Sequence, residues 1–335
     1  MEKTKQTTIV DIARECGVSA TAVSKALNGK GNLRPETIER IKQVAKELNY
    51  VPNTFAKGLR LNSSSTIGVI ISDTSYSFFS SVIKGLESRA EKNGYDLMLM
   101  NTDRIHSREM QAIRSLASKK ISGLVLVASL LTSSEDLEYI RSFNLPFVYI
   151  VRYPNDASVD YVANDNANGF KTLTDYMIKT GSRRVHYLSL RHDIGTGRLR
   201  LQGYQKALEK HNIEYDPSLI RTCPPLFEAS YTTTQEWLNS GEQIQALMCG
   251  CDIMAVGAMR AILQAGRQIP QDIRLTGYDD IELAEYLMVP LTTMRQPQYN
   301  LGYSGLDILL ERIEHPELPP QHILLQSELV VRDSA

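Results

Sequence analysis

Apolar residues recur at helical spacing in three short runs within the first fifty residues. The runs consist of Ile9, Ile12 and Ala13, then Val23 and Leu27, and then Ile38, Ile41, Val44, Ala45 and Leu48. Thr8 and Ser19 are N-cap residue types placed before the first two runs, and Gly17 can end the first helix in a left-handed turn. Pro35 suits the first position of the third helix. Three short helices with a tight turn after the first predict a helix-turn-helix.

From residue 67 onward, apolar runs of strand length alternate with longer runs of helical period. The pattern predicts strands at 67–71, 96–100, 123–127, 147–150, 185–190, 246–249 and 273–276, and helices at 78–92, 109–118, 136–141, 198–211, 230–239 and 253–265, with one more ending at residue 179. The alternation of strands and helices begins again after Asp165, so we expect two doubly wound parallel sheets. Ligands bind beyond the carboxyl ends of such strands, which predicts a cleft between the two sheets.

Charge is distributed unevenly along the 335 residues, although the formal net charge is only -1. Residues 1–60 hold 11 Lys and Arg against 6 Asp and Glu, whereas the remaining residues hold 26 against 32. A basic head on an acidic body is typical of a head that binds an anionic polymer. Charge alone leaves a solvated surface helix as an equal alternative.

The sequence shows no mark of an enzyme, a metal site or a membrane protein. It contains no Gly-x-Ser-x-Gly elbow or Walker loop, and its six histidines lack metal-ligand spacing. The four scattered cysteines suggest reduced thiols, and no apolar run approaches the roughly 18 residues of a membrane span. We therefore expect a soluble, cytoplasmic binding protein with no cofactor.

The second helix of a helix-turn-helix enters the major groove and contacts base edges with its first residues. Ala20, Thr21 and Lys25 are placed to contact bases, with Ser24 beside them. Thr8, Ser19 and Asn28 are suited to phosphates. The alternative is a three-helix bundle that binds a protein or has no partner.

The stretch TTIVDIARECGVSATAVSKALNGK, followed by ELNYVPN, resembles the head of the lactose-repressor/galactose-repressor (LacI/GalR) family of bacterial transcription regulators. The family's base-reading positions fall on Ala20, Thr21 and Lys25. Arg34 is a departure, because a serine cap usually begins the third helix there. The resemblance covers essentially the whole chain and implies an N-terminal all-α helix-turn-helix domain followed by an α/β core like that of periplasmic binding proteins.

The resemblance also implies domain boundaries. The head covers residues 1–50, a hinge helix and linker cover 51–64, and the effector-binding and dimerisation core covers 65–335. The first subdomain of this core spans about 65–163 and 294–324, and the second spans about 164–291 and 325–335.

The hinge segment could form about two helical turns, too few to be stable alone. In proteins that this chain resembles, such a helix folds on DNA and a leucine wedges into a minor-groove step. Leu59 matches that leucine, and the other DNA contacts would come from Asn53, Ala56, Lys57 and Arg60. Gly58 departs from the pattern because glycine weakens a helix. The alternative is that Leu59 packs on the body.

Strand ends supply the candidate effector contacts in the first subdomain. Asp73 ends the first strand, Phe78 and Phe79 open the next helix, and Arg152 ends a later strand. We expect at least one of the two phenylalanines to be a core residue. Val151 stands where the family often has aspartate, which weakens the case for an ordinary pentose or hexose.

In the second subdomain, the resemblance places effector contacts at Asp165, Arg200 and Asp279. Asp165 is equally suited to cap a helix, and Asp280 is expected to serve only the turn. Thr196 lies one turn before Arg200 and could share its contact. Phe227, with Tyr231, could add a stacking wall. We expect Trp237 in the core, and His186 and His192 at the surface or the edge of the cleft.

Together these features predict a DNA-binding regulator, most simply a repressor, whose operator affinity depends on an effector in the cleft. The expected partners are a near-palindromic double-stranded operator, a second copy of the chain, and a sugar or related metabolite. A nucleobase or a protein corepressor stays open as the effector, and activation stays open as the response. The alternative classes are a solute-binding protein and a sugar-active enzyme with a similar core.

Overall fold

The computed structural model describes residues 7–27, 29, 33–50, 65–128, 133–192 and 195–335. The chain divides into two compact units, Met1–Ser64 and Ser65–Ala335. Several predicted DNA contacts lie outside the described residues, namely Asn28, Asn53, Ala56, Lys57, Leu59 and Arg60.

The head consists of three helices: α1 (Ile9–Cys16), α2 (Ala20–Leu27) and α3 (Pro35–Glu47). Gly17 ends α1 with a left-handed φ of 67°, as its position predicted. Thr8 and Asp11 form a capping box, in which the Thr8 side chain accepts the Asp11 backbone N–H and the Asp11 carboxylate accepts the Thr8 N–H at 3.0 Å. Arg34 precedes α3 without a side-chain cap bond. The helix-turn-helix prediction is confirmed.

The predicted apolar faces of these helices meet in a small core. Its buried members are Ile12, Ala13, Cys16, Val23, Ala26, Ile41, Val44 and Ala45. Leu48, which the helical period placed on the same stripe, is 37% exposed because α3 ends one residue before it.

The first sheet of the body has six parallel strands in the order β11-β5-β4-β3-β1-β2. These strands are β1 (Thr66–Ile71), β2 (Asp96–Asn101), β3 (Gly123–Leu126), β4 (Phe147–Ile150), β5 (Asp160–Asn164) and β11 (His322–Leu325). Alternate residues of β1 face opposite sides of the sheet. Val69 packs with helices α4 (Phe78–Lys92) and α11 (Gln298–Glu314), whereas Ile70 packs with α5 (His106–Ser118) and α6 (Ser134–Arg141).

The second sheet has four parallel strands in the order β7-β6-β8-β9. They are β6 (His186–Ser189), β7 (Ile220–Thr222), β8 (Ala246–Cys249) and β9 (Arg274–Thr276). Helices α7 (Asn166–Lys179) and α8 (Gly195–Lys210) share one apolar cluster with this sheet, and α9 (Phe227–Asn239) and α10 (Asp252–Gln264) share the other. The prediction of two doubly wound parallel sheets is therefore confirmed.

The chain passes between the two sheets three times. It first crosses between β5 and α7, and a short antiparallel pair, β10 (Thr293–Arg295) with β12 (Glu328–Val330), flanks the other two crossings. After β10, helix α11 leads back to β11 in the first sheet. Helix α11 packs closely on α4, since a Cβ on either Gly85 or Gly302 would collide with the backbone of the facing helix.

Candidate effector cleft and DNA-binding head

The body contains a cavity of about 530 Å³ formed by residues that follow the carboxyl ends of strands in both sheets. The lining residues are Ser72, Asp73, Ser75, Tyr76, Phe78, Phe79, Asp103, Arg104, Val151, Arg152, Leu190, Arg191, Thr196, Arg200, Pro224, Pro225, Leu226, Cys251, Asp279 and Gln296. This is the place where doubly wound sheets bind ligands. A cavity of this volume fits a small metabolite.

Asp73 and Arg104 form a polar corner on the side of the first sheet. The Arg104 guanidinium lies 3.0 Å from the Asp73 carboxylate, which also accepts the Ser75 backbone N–H at 3.0 Å. Arg104 additionally donates to the Pro225 carbonyl at 3.4 Å, which belongs to the loop after β7 in the second sheet. One arginine therefore contacts both sides of the cleft.

Three aromatic rings form an apolar wall after β1. Tyr76 stacks on Phe78 with ring centroids 5.9 Å apart, and Phe78 meets Phe79 edge-on at 5.2 Å. Both phenylalanines are buried and belong to the large apolar core while also lining the cavity. They therefore fulfil the expected core role, and their faces at the cavity are suited to an apolar part of a ligand.

Asp279 is the buried carboxylate on the side of the second sheet. Tyr76 donates its hydroxyl to Asp279 Oδ2, and Gln296 donates its amide to Oδ1. Arg200 Nη2 lies 3.6 Å from Oδ1. Burial raises the pKa of Asp279, and the charge of Arg200 and the donated hydrogen bonds oppose this rise. Its φ of 128° is rare for a residue with a side chain, which is typical of functional sites.

Arg200 is held rigidly behind this carboxylate. It donates from Nε to Asn166 at 2.9 Å and from Nη1 to the Gly250 carbonyl, and its guanidinium lies 3.9 Å from the centre of the Tyr278 ring. Such a preorganised cation can hold a polar ligand without losing side-chain freedom on binding.

Tyr278 connects this side of the cavity to the crossings between the sheets. Its hydroxyl accepts a hydrogen bond from Asn164 at 2.7 Å and lies 3.1 Å from the Ser327 hydroxyl. Asn164 ends β5 and Ser327 follows β11, so two of the three crossings meet at one tyrosine. Ser327 also donates to the Asn164 side-chain oxygen at 2.9 Å, which closes the network.

Most sequence-predicted effector contacts line the cavity, namely Asp73, Phe78, Phe79, Arg152, Thr196, Arg200 and Asp279. Two do not. Asp165 caps α7 by accepting the Asn168 N–H at 3.0 Å, and Phe227 stacks on Tyr231 with centroids 6.4 Å apart.

The prediction for His186 was wrong. This residue is fully buried in β6, with Glu242 at 3.4 Å and the edge of Trp237 at 5.1 Å. His192 is exposed as expected, and Trp237 is buried in the core as expected.

Sequence reasoning missed Tyr76, Arg104 and Gln296. Tyr76 and Arg104 follow strands β1 and β2 by only a few residues, so the strand-end argument applied to every polar or aromatic residue there would have found them. Gln296 follows β10, a strand that the apolar pattern did not predict.

The head presents the start of α2 to solvent. Ala20, Thr21 and Lys25 are exposed, and α2 carries no acidic residue in its first turn. Ser19 accepts the Ala22 N–H at 3.1 Å and caps this helix, while Ser24 is half-buried. The exposed side chains are therefore either short and uncharged or basic, which suits contact with base edges.

Within the described parts of the chain, no helix is long and apolar enough to span a membrane. The four cysteines are buried free thiols.

A helix-turn-helix head, together with a body built around a ligand-sized cleft, defines a class of DNA-binding regulators that respond to small molecules. Residues 8–53 match the family of bacterial regulatory proteins described as the lacI family. Residues 64–332 match the periplasmic binding proteins and sugar binding domain of the LacI family. The chain belongs to the LacI family.

Its relatives are similar over their whole length. The chain is 33% identical to the HTH-type transcriptional repressor PurR of Vibrio vulnificus over 327 residues, covering 98% of each chain. It is 33% identical to the ribose operon repressor of Escherichia coli over 329 residues, covering 98% of this chain and 99% of the relative. The lac repressor dimer bound to operator and the anti-inducer ONPF has the same fold, with a TM-score of 0.88, 26% identity and coverage of 98% and 99%.

Proposed function

We propose that the protein is a transcriptional repressor that binds a specific operator through α2 and whose affinity for DNA is set by a small molecule in the cleft. The observation that carries this proposal is the joint presence of an exposed α2 face and a cavity built from the strand ends of both sheets. Family membership and the repressor names of full-length relatives support it.

The cleft offers a physical means of control. The Tyr76–Asp279 and Arg104–Pro225 contacts join the two sheets across the cavity. A ligand that contacts residues from both sheets stabilises one relative position of the sheets over another, and this shifts the population of the DNA-binding form. Tyr278 contacts both Asn164, at one crossing between the sheets, and Arg200, which lines the cavity.

For the effector we propose a polar metabolite of the size of a sugar or nucleoside. Buried Asp279 and Arg200 suit hydroxyl or ring N–H groups, and the Phe78 and Phe79 wall suits a ring face. Asp73, Arg152 and Thr196 would also contact the effector. The name of the ribose operon repressor is consistent with a sugar.

We further propose that the protein acts as a homodimer on a near-palindromic operator in the bacterial cytoplasm. Two copies of a helix-turn-helix fit two half-sites related by a two-fold axis. The related lac repressor is a dimer in its operator complex.

A gel-shift titration with the upstream region of the protein's own gene tests this function. We expect tight binding that resists competitor DNA, with an affinity that falls linearly with salt on logarithmic axes. Lys25→Gln should weaken preference for the operator by about 1–3 kcal/mol, since Lys25 is an exposed cation of α2 that would donate to a base edge.

The charge-matched control is Lys119→Gln, which removes an exposed lysine from the body. It should bind as the wild type does. Equal losses in the two variants, or no preference for any duplex in the wild type, would refute the assignment.

A further inference from the structure

The charges that line the cavity are not balanced by one another. Four arginines and three aspartates contribute to its wall. Arg104 is paired with Asp73 at 3.0 Å, and Arg200 lies 3.6 Å from Asp279. Asp103 is in contact with Arg108, outside the cavity wall. Each of the three aspartates in the cavity wall thus lies next to one of the arginines Arg104, Arg200 and Arg108.

Arg152 has no such partner within the described ranges of the chain. Its Nε and Nη2 atoms are buried and have no hydrogen-bond acceptor among the residues that the structure describes. The negative charges of Asp73 and Glu109 act on Arg152 from a distance, and neither residue forms an ion pair with it among the residues that the structure describes. Buried guanidinium donors without an acceptor are costly, so such donors in a cavity wall point to a ligand that supplies the acceptor.

The two unpaired atoms form the side of the guanidinium that binds oxyanions as a fork. Arg312 shows the same fork in use elsewhere in the protein, where Nε and Nη2 bind the two oxygens of Asp160 at 2.8 and 3.0 Å. Burial and the nearby Arg104 lower the pKa of Arg152 to about 10, so the group stays charged at neutral pH. Its donors therefore match a carboxylate or one face of a phosphate.

The neighbouring residue adds a second observation. Val151 also lines the cavity and has a φ of 66°. A β-branched residue in the left-handed region is a genuine outlier, whereas asparagine and aspartate are enriched there. The position next to Arg152 therefore holds a strained apolar side chain, which contributes no acceptor to the arginine.

We propose that the effector carries an anionic group, a carboxylate or a phosphate, and that Arg152 binds it through its Nε and Nη2 donors. This inference rests on the proposed function and specifies the chemistry of its effector. The polar remainder of the ligand would lie toward Asp279 and Arg200, with the aromatic wall against its ring.

Calorimetric and thermal-shift titrations of the full chain at constant ionic strength test the proposal with matched probes. The probes are glucose, gluconate and glucose 6-phosphate; ribose and ribose 5-phosphate; and inorganic phosphate at tens of millimolar. We expect inorganic phosphate to raise Tm, and the anionic sugars to bind about tenfold or more tightly than their neutral parents. Gluconate and glucose 6-phosphate separate a carboxylate from a phosphate.

Arg152→Gln should abolish this preference for anions, and Arg152→Lys, which keeps the charge without the fork, should retain part of it. The matched control Arg267→Gln removes an exposed arginine outside the cavity and should behave as the wild type. The Tm of each ligand-free variant reports whether the variant is folded. If Arg152→Gln is not folded, Arg152→Lys still tests the role of the guanidinium.

Three results would overturn the proposal: equal binding of neutral and anionic probes, an anion preference that survives Arg152→Gln, and no Tm shift with any anion. Loss of the preference in Arg267→Gln as well would mean general charge screening and would overturn it too. Operator binding is measured separately on the same preparations. Failure of the titrations with intact operator binding refutes only this inference, whereas absence of operator binding refutes the proposed function.

Discussion

Removing a single hydroxyl from Tyr76 tests whether the contacts across the cleft hold the two sheets together. Tyr76 follows β1 in the first sheet, and its acceptor Asp279 follows β9 in the second. Tyr76→Phe deletes this hydrogen bond and keeps the ring that packs against Phe78 and Phe79. The perturbation is therefore confined to one polar contact between the sheets.

The size of the effect follows from the bonds that remain to Asp279. Within the described residues Oδ2 accepts only from Tyr76, whereas Oδ1 keeps Gln296 and Arg200. Leaving a buried acceptor without a donor costs about 1–3 kcal/mol, which is about 5- to 150-fold in an equilibrium constant. Because the bond joins the sheets, we expect the closed cleft to lose this much relative to an open one.

Two measurements report the loss. Urea unfolding followed by circular dichroism should give a free energy of unfolding about 1–3 kcal/mol below that of the wild type. Small-angle X-ray scattering should show a larger radius of gyration for the ligand-free variant. The control is Tyr139→Phe, which removes the hydroxyl of a partly exposed tyrosine that meets Phe143 edge-on. Equal stability and equal dimensions for Tyr76→Phe and the wild type would refute the role of this contact.

Two further predictions concern the interior of the second subdomain. Burial and the charge of Asp279 raise the pKa of Asp252 to about 7. The folded protein therefore binds a proton on Asp252 more tightly than the unfolded chain does. As pH rises from about 4 to 7, the free energy of unfolding of the wild type should fall relative to that of Asp252→Asn. Urea unfolding across this range checks the sign, and a stability difference that does not change with pH would contradict it. Tyr278→Phe removes the hydroxyl that binds Asn164 and Ser327 while keeping the ring beneath Arg200. The affinity for the effector should change by no more than about threefold. The factor by which the effector changes operator affinity should change about fivefold or more. Calorimetry measures the first quantity, and gel shifts with and without the effector measure the second.

Local features of this protein could be predicted from sequence because they depend on neighbouring residues. The caps at Thr8 and Ser19 and the left-handed Gly17 are set by their own backbone and the next helical turn. The strand ends were also predictable, since β1 is a short apolar run with Asp73 two residues after it, and β9 is followed directly by a Gly-Tyr-Asp sequence. Both aspartates accordingly line the cavity.

Features that depend on distant parts of the chain could not be predicted. β5 and β11 pair with each other across more than 150 residues, and β11 alternates only between exposed and half-buried residues, which is a weak signal. Sequence polarity placed His186 at the surface, whereas Glu242 and Trp237 accompany it in the interior.

If the cleft controls DNA binding, occupation of the cleft changes the affinity for the operator. The operator binding constant of the full chain, measured by fluorescence anisotropy at several salt concentrations with and without a saturating compound identified by thermal shift, tests this directly. We predict a sequence-preferring, salt-dependent affinity that changes about 5- to 150-fold on ligand binding. An operator affinity that stays the same at every salt concentration when the cleft is saturated would show that the cleft does not control DNA binding.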